Sequence, residues 1–226
     1  MSDGDGIVTV MGFRAVIFDL DGTLLDTLAD LATAHNRVLT ELGLPCHPTD
    51  AYRQFIGSGA RACVERTLPQ EYRTRDIIDA GLEIQQREYS RTWHEQTRPY
   101  DGIDELLENL QQQGIYLAVL SNKDHLFTQQ CVAFFFPNIA FDHIQGFTGQ
   151  VPHKPHPGGA LMVADNLKCI PREILFLGDS EVDIATARAA DMHPVGALWG
   201  FRSEQELVMS GAADTLHHPS ELMRLF

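Results

Sequence analysis

Long apolar runs are missing from this 226-residue chain. None approaches the roughly 18 residues that a membrane-crossing helix needs. Basic residues are few: 17 Lys and Arg face 31 Asp and Glu, a formal charge of −14. A field of that sign repels nucleic acid and anionic membranes, so neither is an expected partner. It repels anionic small molecules too, so any phosphate site must be locally positive. Cysteine is scarce. Cys46, Cys63, Cys131 and Cys169 are far apart and form no CxxC pair. Buried free thiols in a reducing compartment, the cytoplasm, are the expected state. The opening "MSDGDGIVTVMG" is acidic and short of apolar residues, unlike an export signal. Residues 1–12 are expected to be a loose tail, with Met11 an alternative natural start. Repeats and low-complexity segments are absent.

What is present is an ordinary globular composition, long enough for one good-sized core plus a smaller unit. "AVIF" (15–18) is short, apolar and β-rich, a strand. Leu28, Leu31, Ala32, Val38, Leu39 and Leu42 fall at helical spacings, and Gly43 stands where a helix would end. Residues 44–96 hold further helical segments, among them "GSGARACVERTL" and "RDIIDAGLEIQQREYSRTW", and no convincing strand. After "RPYDG" (98–102) the pattern alternates. Helix 103–113 precedes strand "YLAVLS"; a helix from about Asp124 leads to an extended piece near 141–144. A helix with Pro157 in its first turn runs to about Leu167. Strand "ILFLG", helix "EVDIATARAA", strand "PVGAL", helix "SEQELVMSG" and a short last helix complete the chain. Alternating βα units predict a mostly parallel, Rossmann-like sheet with helices on both faces, an α/β fold. The all-helical stretch after the first strand predicts an inserted second domain.

In open α/β sheets, ligands bind beyond the carboxyl ends of the strands. Those ends carry Asp19, Asp21, Gly22 and Thr23; Ser121, Asn122 and Lys123; and Gly178, Asp179, Ser180 and Asp183. A loop ahead of the Pro157 helix adds His153, Lys154 and His156. Carboxylates converging in one crevice repel one another unless a cation sits among them. An all-oxygen set suits Mg2+, whereas zinc prefers His or Cys. Mg2+ commonly holds phosphate, which an aspartate can attack to form an aspartyl-phosphate. Metal and lysine neutralise the developing charge. Helix N-termini after Gly22 and Asn122 offer backbone N–H groups to the same anion. A second acid two residues on can protonate the leaving group and then activate water.

These four sets resemble, in order, the motifs of the haloacid dehalogenase superfamily. DxDGT is matched by residues 19–23 and the strand-closing Ser by Ser121 in "VLSNK". The lysine ahead of a helix is matched by Lys154 in "HKPHP", and GDSxxDxxxA by "GDSEVDIATA" (178–187). The resemblance spans 13–226. It implies a core of 13–27 plus 97–226, a helical cap over 28–96, and hinges near 26–28 and 95–99. It also implies Asp19 as nucleophile and Mg2+ ligand, and Asp21 as general acid/base with its carbonyl on the metal. Asp179 is implied as a metal ligand, Ser121 and Lys154 as phosphoryl-binding groups, and Asp183 and Ser180 as supports. Gly22, Thr23 and Asn122 would shape the phosphate pocket.

"TLADLATAHNRVLTELGLP" and the C-terminal "WGFRSEQEL" with "GAADTLHHPSEL" resemble most the phosphoglycolate phosphatase branch. Asp191, where a helix-ending Gly is usual, and the paired glycines of "KPHPGGA" depart from it. Implied is a phosphatase for a small phosphorylated metabolite, 2-phosphoglycolate first, working as a monomer or homodimer. A sugar phosphomutase of the same superfamily and a non-catalytic binding protein on this fold stay open. A dehalogenase is disfavoured, having no use for Asp21 or Mg2+. Arg61 could meet a substrate's distal anion or be a surface arginine. Trp199 and Arg202 could border the site or only pack the last helix. His153 and His156 read as loop histidines.

Overall fold

The computed structural model describes residues 12–226. Apart from Gly12, the N-terminal tail lies outside the described residues. In chain order the elements are β1 (Ala15–Phe18), β2 (Leu25–Asp26), α1 (Leu28–Glu41), α2 (Tyr52–Phe55), α3 (Ala60–Thr67) and α4 (Arg75–Thr92). Then come β3 (Arg98–Pro99), α5 (Ile103–Gln112), β4 (Tyr116–Asp124), α6 (His125–Phe135), β5 (His143–Phe147) and α7 (Gly158–Leu167). The last are β6 (Ile174–Gly178), α8 (Glu181–Ala189), β7 (His193–Ala197), α9 (Glu204–Ser210), β8 (Asp214–Leu216) and a 3-10 turn, Pro219–Leu225.

Six strands form a wholly parallel sheet in the order β5-β4-β1-β6-β7-β8. Alternation along each central strand explains why. Val16 and Phe18 of β1 join Leu117, Val119, Leu175 and Leu177 in one core. Ala15 and Ile17 join Ala118, Leu120, Ile174 and Phe176 in the other. Both faces are buried under helices, as a parallel sheet requires. Each of the larger side chains contributes about 1.5–3 kcal/mol through burial. The strand order turns at β1, which lies between β4 and β6, and the polar strand ends collect there.

Residues 28–92 are helical or irregular throughout, with a small apolar cluster of their own at Leu39, Val64, Leu68 and Ile78. α1 forms as its spacing predicts, and Gly43 terminates it at φ 69. β2 and β3, which sequence reasoning missed, pair as an antiparallel ribbon at the two ends of this stretch. Two-residue strands have too little pattern to be read. β8, three residues long, was missed because it too is short of pattern.

Three local expectations need correcting. First, no helix follows Gly22 directly: the chain turns, makes β2 and enters α1 at Leu28. Second, β4 runs on through Asp124, so Ser121, Asn122 and Lys123 sit on its irregular last part. α6 starts at His125, and the Asp124 carboxylate already accepts the N–H groups of Leu126 and Phe127. The first helix thus begins away from Gly22, and at α6 the Asp124 carboxylate already takes the leading N–H groups. Third, all four cysteines are free thiols, but Cys46 is exposed. The two departures from the family pattern have local reasons. Asp191 takes the left-handed conformation at φ 58. A Cβ on Gly159 would come within 3.0 Å of Leu120, so α7 can lie close on β4.

Candidate active site

Asp19 directly follows β1 because the strand's last core residue, Phe18, hands the chain to the sheet edge. The residue is 6% exposed. Oδ1 accepts from the Leu20 N–H at 2.7 Å and pairs with Lys154 Nζ at 2.8 Å. Lys154 also meets Asp183 Oδ1 at 2.6 Å. The remaining oxygen of Asp183, Oδ2, accepts from Ser180 N–H and Oγ–H at 3.1 and 2.6 Å, a capping box opening α8. Asp183 thus fixes Lys154 from behind, and Ser180 fixes Asp183. Asp179, at the end of β6, accepts from Thr23 Oγ1 at 3.3 Å and from the Phe201 N–H at 2.7 Å.

Ligand oxygens of Asp19, Asp179 and Asp183 lie within 4.8 Å of one another, all buried. Such closeness demands thin backbone. A Cβ on Gly22, at φ +91, would come within 2.3 Å of Asp179 Oδ2, and one on Gly178 within 2.2 Å of Asp183 Cβ. Electrostatically the cluster is short of positive charge. Burial, then Asp183, raises the Asp19 carboxyl to about 7; the Lys154 ammonium opposes this without cancelling it. Burial, then Asp183 and Asp19, likewise pushes Asp179 up. Burial disfavours the Lys154 ammonium, yet Asp183 and Asp19 hold its pKa above the usual lysine value. Two carboxylates kept from ionising by their surroundings and by each other, with only oxygen donors, fit a hard divalent cation.

A second pair stands beside the first. Lys123 Nζ donates to both oxygens of Asp21, at 2.9 and 3.1 Å, and to the Tyr89 hydroxyl of α4 at 2.8 Å. Burial opposes the Lys123 charge, but Asp21 and Tyr89 raise its pKa. Sequence reasoning saw Lys123 at a strand end and gave it no role. Tyr89, sixty-eight positions after Asp21 in an unrelated helix, carries no signal of this contact.

Asp19, Asp21, Ser121 and Asn122 border a cavity of about 600 Å³ whose opposite wall comes from α1, α3 and α4. Ser121 is buried, its Oγ accepting from the Lys123 N–H at 3.3 Å. The Asn122 side chain is largely engaged elsewhere. Its Nδ2 donates to the carbonyls of Gly57 and Lys154 at 2.9 and 3.0 Å, and its Oδ1 accepts from the Lys154 N–H at 2.7 Å. It clamps the lysine loop from the cavity wall.

Arg61 does not line this cavity. It sits on the exposed side of α3, paired with Asp79 of α4. His153 stacks on Phe147, and His156 Nδ1 accepts from the Gly158 N–H. Both are loop histidines, as read. Trp199 and Arg202 prove to be neighbours of the site. Trp199 Nε1 donates to the Thr23 carbonyl at 2.9 Å. Buried Arg202 joins Glu181 at 3.0 Å to the carbonyls of Arg53 and Ile56 in the helical stretch. His35, in the far wall, was passed over, although a lone imidazole between Leu31 and Leu39 on an apolar helix face is a visible anomaly.

A parallel sheet with acids and a buried lysine gathered at its carboxyl edge, under a helical insertion, defines an α/β enzyme built around a charged substrate. Residues 16–197 match the family model of haloacid dehalogenase-like hydrolases, and the chain belongs to that family. It is 32% identical over 203 residues to the phosphoglycolate phosphatase of Psychrobacter arcticus, covering 87% of this chain and 88% of the relative. It is also 32% identical to that of Aquifex aeolicus, covering 94% and 96%. The solved structure of a predicted phosphoglycolate phosphatase from Haemophilus somnus superposes with a TM-score of 0.86 at 28% identity, covering 94% of this chain and 97% of that one. This chain is a phosphoric monoester hydrolase. Among the described residues no helix is long and apolar enough to cross a membrane.

Proposed function

We propose that the protein hydrolyses a small phosphomonoester, 2-phosphoglycolate first, with Mg2+ and through an aspartyl-phosphate on Asp19. The observation that carries this reading is the buried contact of Asp19 with Lys154 at 2.8 Å inside the carboxylate cluster that Asp179 shares. Asp19, Asp179 and the Asp21 carbonyl would hold the cation. Bound there, it supplies positive charge against the phosphoryl oxygens.

The remaining work falls to side chains. An Asp19 oxygen attacks phosphorus as the ester P–O bond breaks, and Asp21 gives its proton to the departing alcohol oxygen. Asp21 then takes a proton from the water that attacks the aspartyl-phosphate, which releases phosphate and restores Asp19. Lys154, held by Asp183, neutralises charge on the phosphoryl group, and Ser121 binds it. Lys123 and Tyr89 keep Asp21 in place. Residues 13–27 and 97–226 act as the core, and 28–96 as a cap that closes over the crevice and keeps the site dry. The working form is a monomer or homodimer, and free cysteines suit the cytoplasm.

A screen of small phosphate esters with Mg2+, run beside Asp19→Asn, tests this. The parent should release phosphate and the variant essentially none, and EDTA should silence the parent. Parental turnover by Asp19→Asn overturns the mechanism. A phosphoenzyme that turns over only with a sugar phosphate makes the protein a mutase instead.

A further inference from the structure

The face that α4 turns to the interior changes character along its length. Its buried residues are Ile78, Gly81, Gln85 and Tyr89, which helical spacing places in one stripe. The first two pack inside the helical stretch. Ile78 belongs to the small apolar cluster there, and a Cβ on Gly81 would come within 2.9 Å of Val64 and 3.1 Å of Val38. The last two line the cavity that Asp19 and Asp21 border. Tyr89 is engaged with Lys123, which holds Asp21. Gln85 stands one helical turn earlier on the same side, about 6 Å along the axis. It is 3% exposed, and its amide makes no hydrogen bond among the described residues. Nor is that amide sealed off. The unpartnered side-chain atoms shut away from solvent are, among the described residues, Thr27 Oγ1, His35 Nε2, His143 Nε2 and His153 Nδ1. What stays open of Gln85 faces the cavity. An amide both donates and accepts, and burying one without partners is costly. A molecule in the cavity is the partner within reach.

The charges around the cavity say what kind of molecule. Its two basic lining residues already face acids: Lys123 meets Asp21, and Arg87 meets Glu41 and Glu88. The exposed Glu83 and Asp124 add negative charge to the lining. A carboxylate beside Gln85 finds no cation to spare there, whereas neutral hydroxyls suit both atoms of an amide. The cavity of about 600 Å³ also holds more than a two-carbon leaving group fills. We propose that Gln85 is a specificity-determining residue whose amide oxygen and N–H pair with adjacent hydroxyls of the leaving group, so that the enzyme also takes phosphomonoesters of polyol type. This rests on the reading of the Asp19 site as a phosphomonoesterase and adds a second class of substrate to it.

The test compares kcat/KM for glycerol 1-phosphate with that for 2-phosphoglycolate, both with Mg2+. Parent, Gln85→Leu and Gln85→Glu are assayed. The parent should turn over both esters. Gln85→Leu should lower the ratio of hydroxylated to carboxylated substrate by about tenfold, mainly through KM. Gln85→Glu has the same shape, still accepts from hydroxyls and repels a carboxylate, so the ratio should return to the parent's value or exceed it. A parent that turns over 2-phosphoglycolate alone, or an unchanged ratio in Gln85→Leu, overturns the proposal. So does a selective loss of 2-phosphoglycolate turnover in Gln85→Leu, since the amide would then be holding the carboxylate.

A readout independent of turnover follows the side-chain amide of Gln85 by 15N NMR in Asp19→Asn protein with Mg2+. Its resonances should move with glycerol 1-phosphate and stay in place with inorganic phosphate, which has no leaving group to read. A shift without any hydrolysis by the parent sinks the phosphatase reading and keeps the Gln85 site. Hydrolysis without the shift does the reverse, even where the Gln85 variants fail to fold.

Discussion

The molecule contains two buried lysine–aspartate pairs a few residues from each other, built on different plans. Lys154 with Asp19 and Asp183 is assembled from a strand end, a loop and the first turn of α8, all in the sheet's own βα units. Lys123 with Asp21 reaches across to Tyr89 in the helical stretch. The first is braced on every side: Asn122 clamps the lysine loop, Ser180 clamps Asp183, and Gly22 and Gly178 let the carboxylates come close. The second depends on where α4 sits. One pair is thus set by the sheet and the start of α8 beside it, whereas the other is completed only when the helical stretch lies against it. In the proposed mechanism that difference separates the phosphoryl chemistry, on the sheet side, from proton transfer, which faces the helices.

The comparison breaks most sharply at Asp19. Asp19→Asn should cost about 10⁴-fold or more in kcat with a small phosphate ester, since an amide is no nucleophile here. Residual turnover within tenfold of the parent would remove the first pair from the chemistry. Next, Lys154→Met leaves the Asp19 and Asp183 carboxylates without a counter-charge. We expect a loss of about 3–5 kcal/mol in urea unfolding, besides a collapse of turnover. Lys123→Met leaves Asp21 and Tyr89 unpartnered at a less enclosed place and should cost only about 2 kcal/mol. Equal losses in the two variants would erase the distinction drawn between the pairs.

A pH titration sharpens the same contrast. Folded Asp19 keeps its proton up to about 7, held first by burial and then by Asp183, while an unfolded aspartate has lost it by about pH 4. Between those values the folded state binds more protons, so this residue's contribution to stability falls as pH rises and is level above about 7. His35, lowered to about 4 by burial, acts in the opposite sense over much of that window. The informative quantity is therefore the difference in Tm between Asp19→Asn and parent, both in EDTA. That difference should grow in favour of the variant from about pH 4 to 7 and then stay constant; a constant difference throughout refutes it. Mg2+ should accordingly raise the parent's Tm more at pH 8 than at pH 5. The smallest effect is reserved for Tyr89→Phe, which removes one hydroxyl from Lys123. A few-fold loss in kcat with little change in Tm is expected, and no change at all would disconnect α4 from Asp21.

Local chemistry already carried much of this in the sequence. "AVIF", "YLAVL" and "ILFLG" are apolar on both faces and could only be central strands of a covered sheet. Asp19, Asp21, Lys154 and Asp179 each follow such a run or open a helix, where polar groups have no core to fill. The same reasoning put Asn122 at the cavity, where it lies, but could not place Arg61. A position in a loop or helix start does not say whether a side chain will find Asp79, or two carbonyls, before it finds a ligand.

The alternation of apolar runs and turns by itself determined the layers, the parallel order and the set of acids at one edge, because period and burial act within a few residues. The tertiary structure alone decided which lysine meets which acid, that Tyr89 reaches Lys123, and that His35 lies in the wall of the same cavity as Asp19. Those contacts join residues tens of positions apart, and no local pattern records which way a packed helix will face.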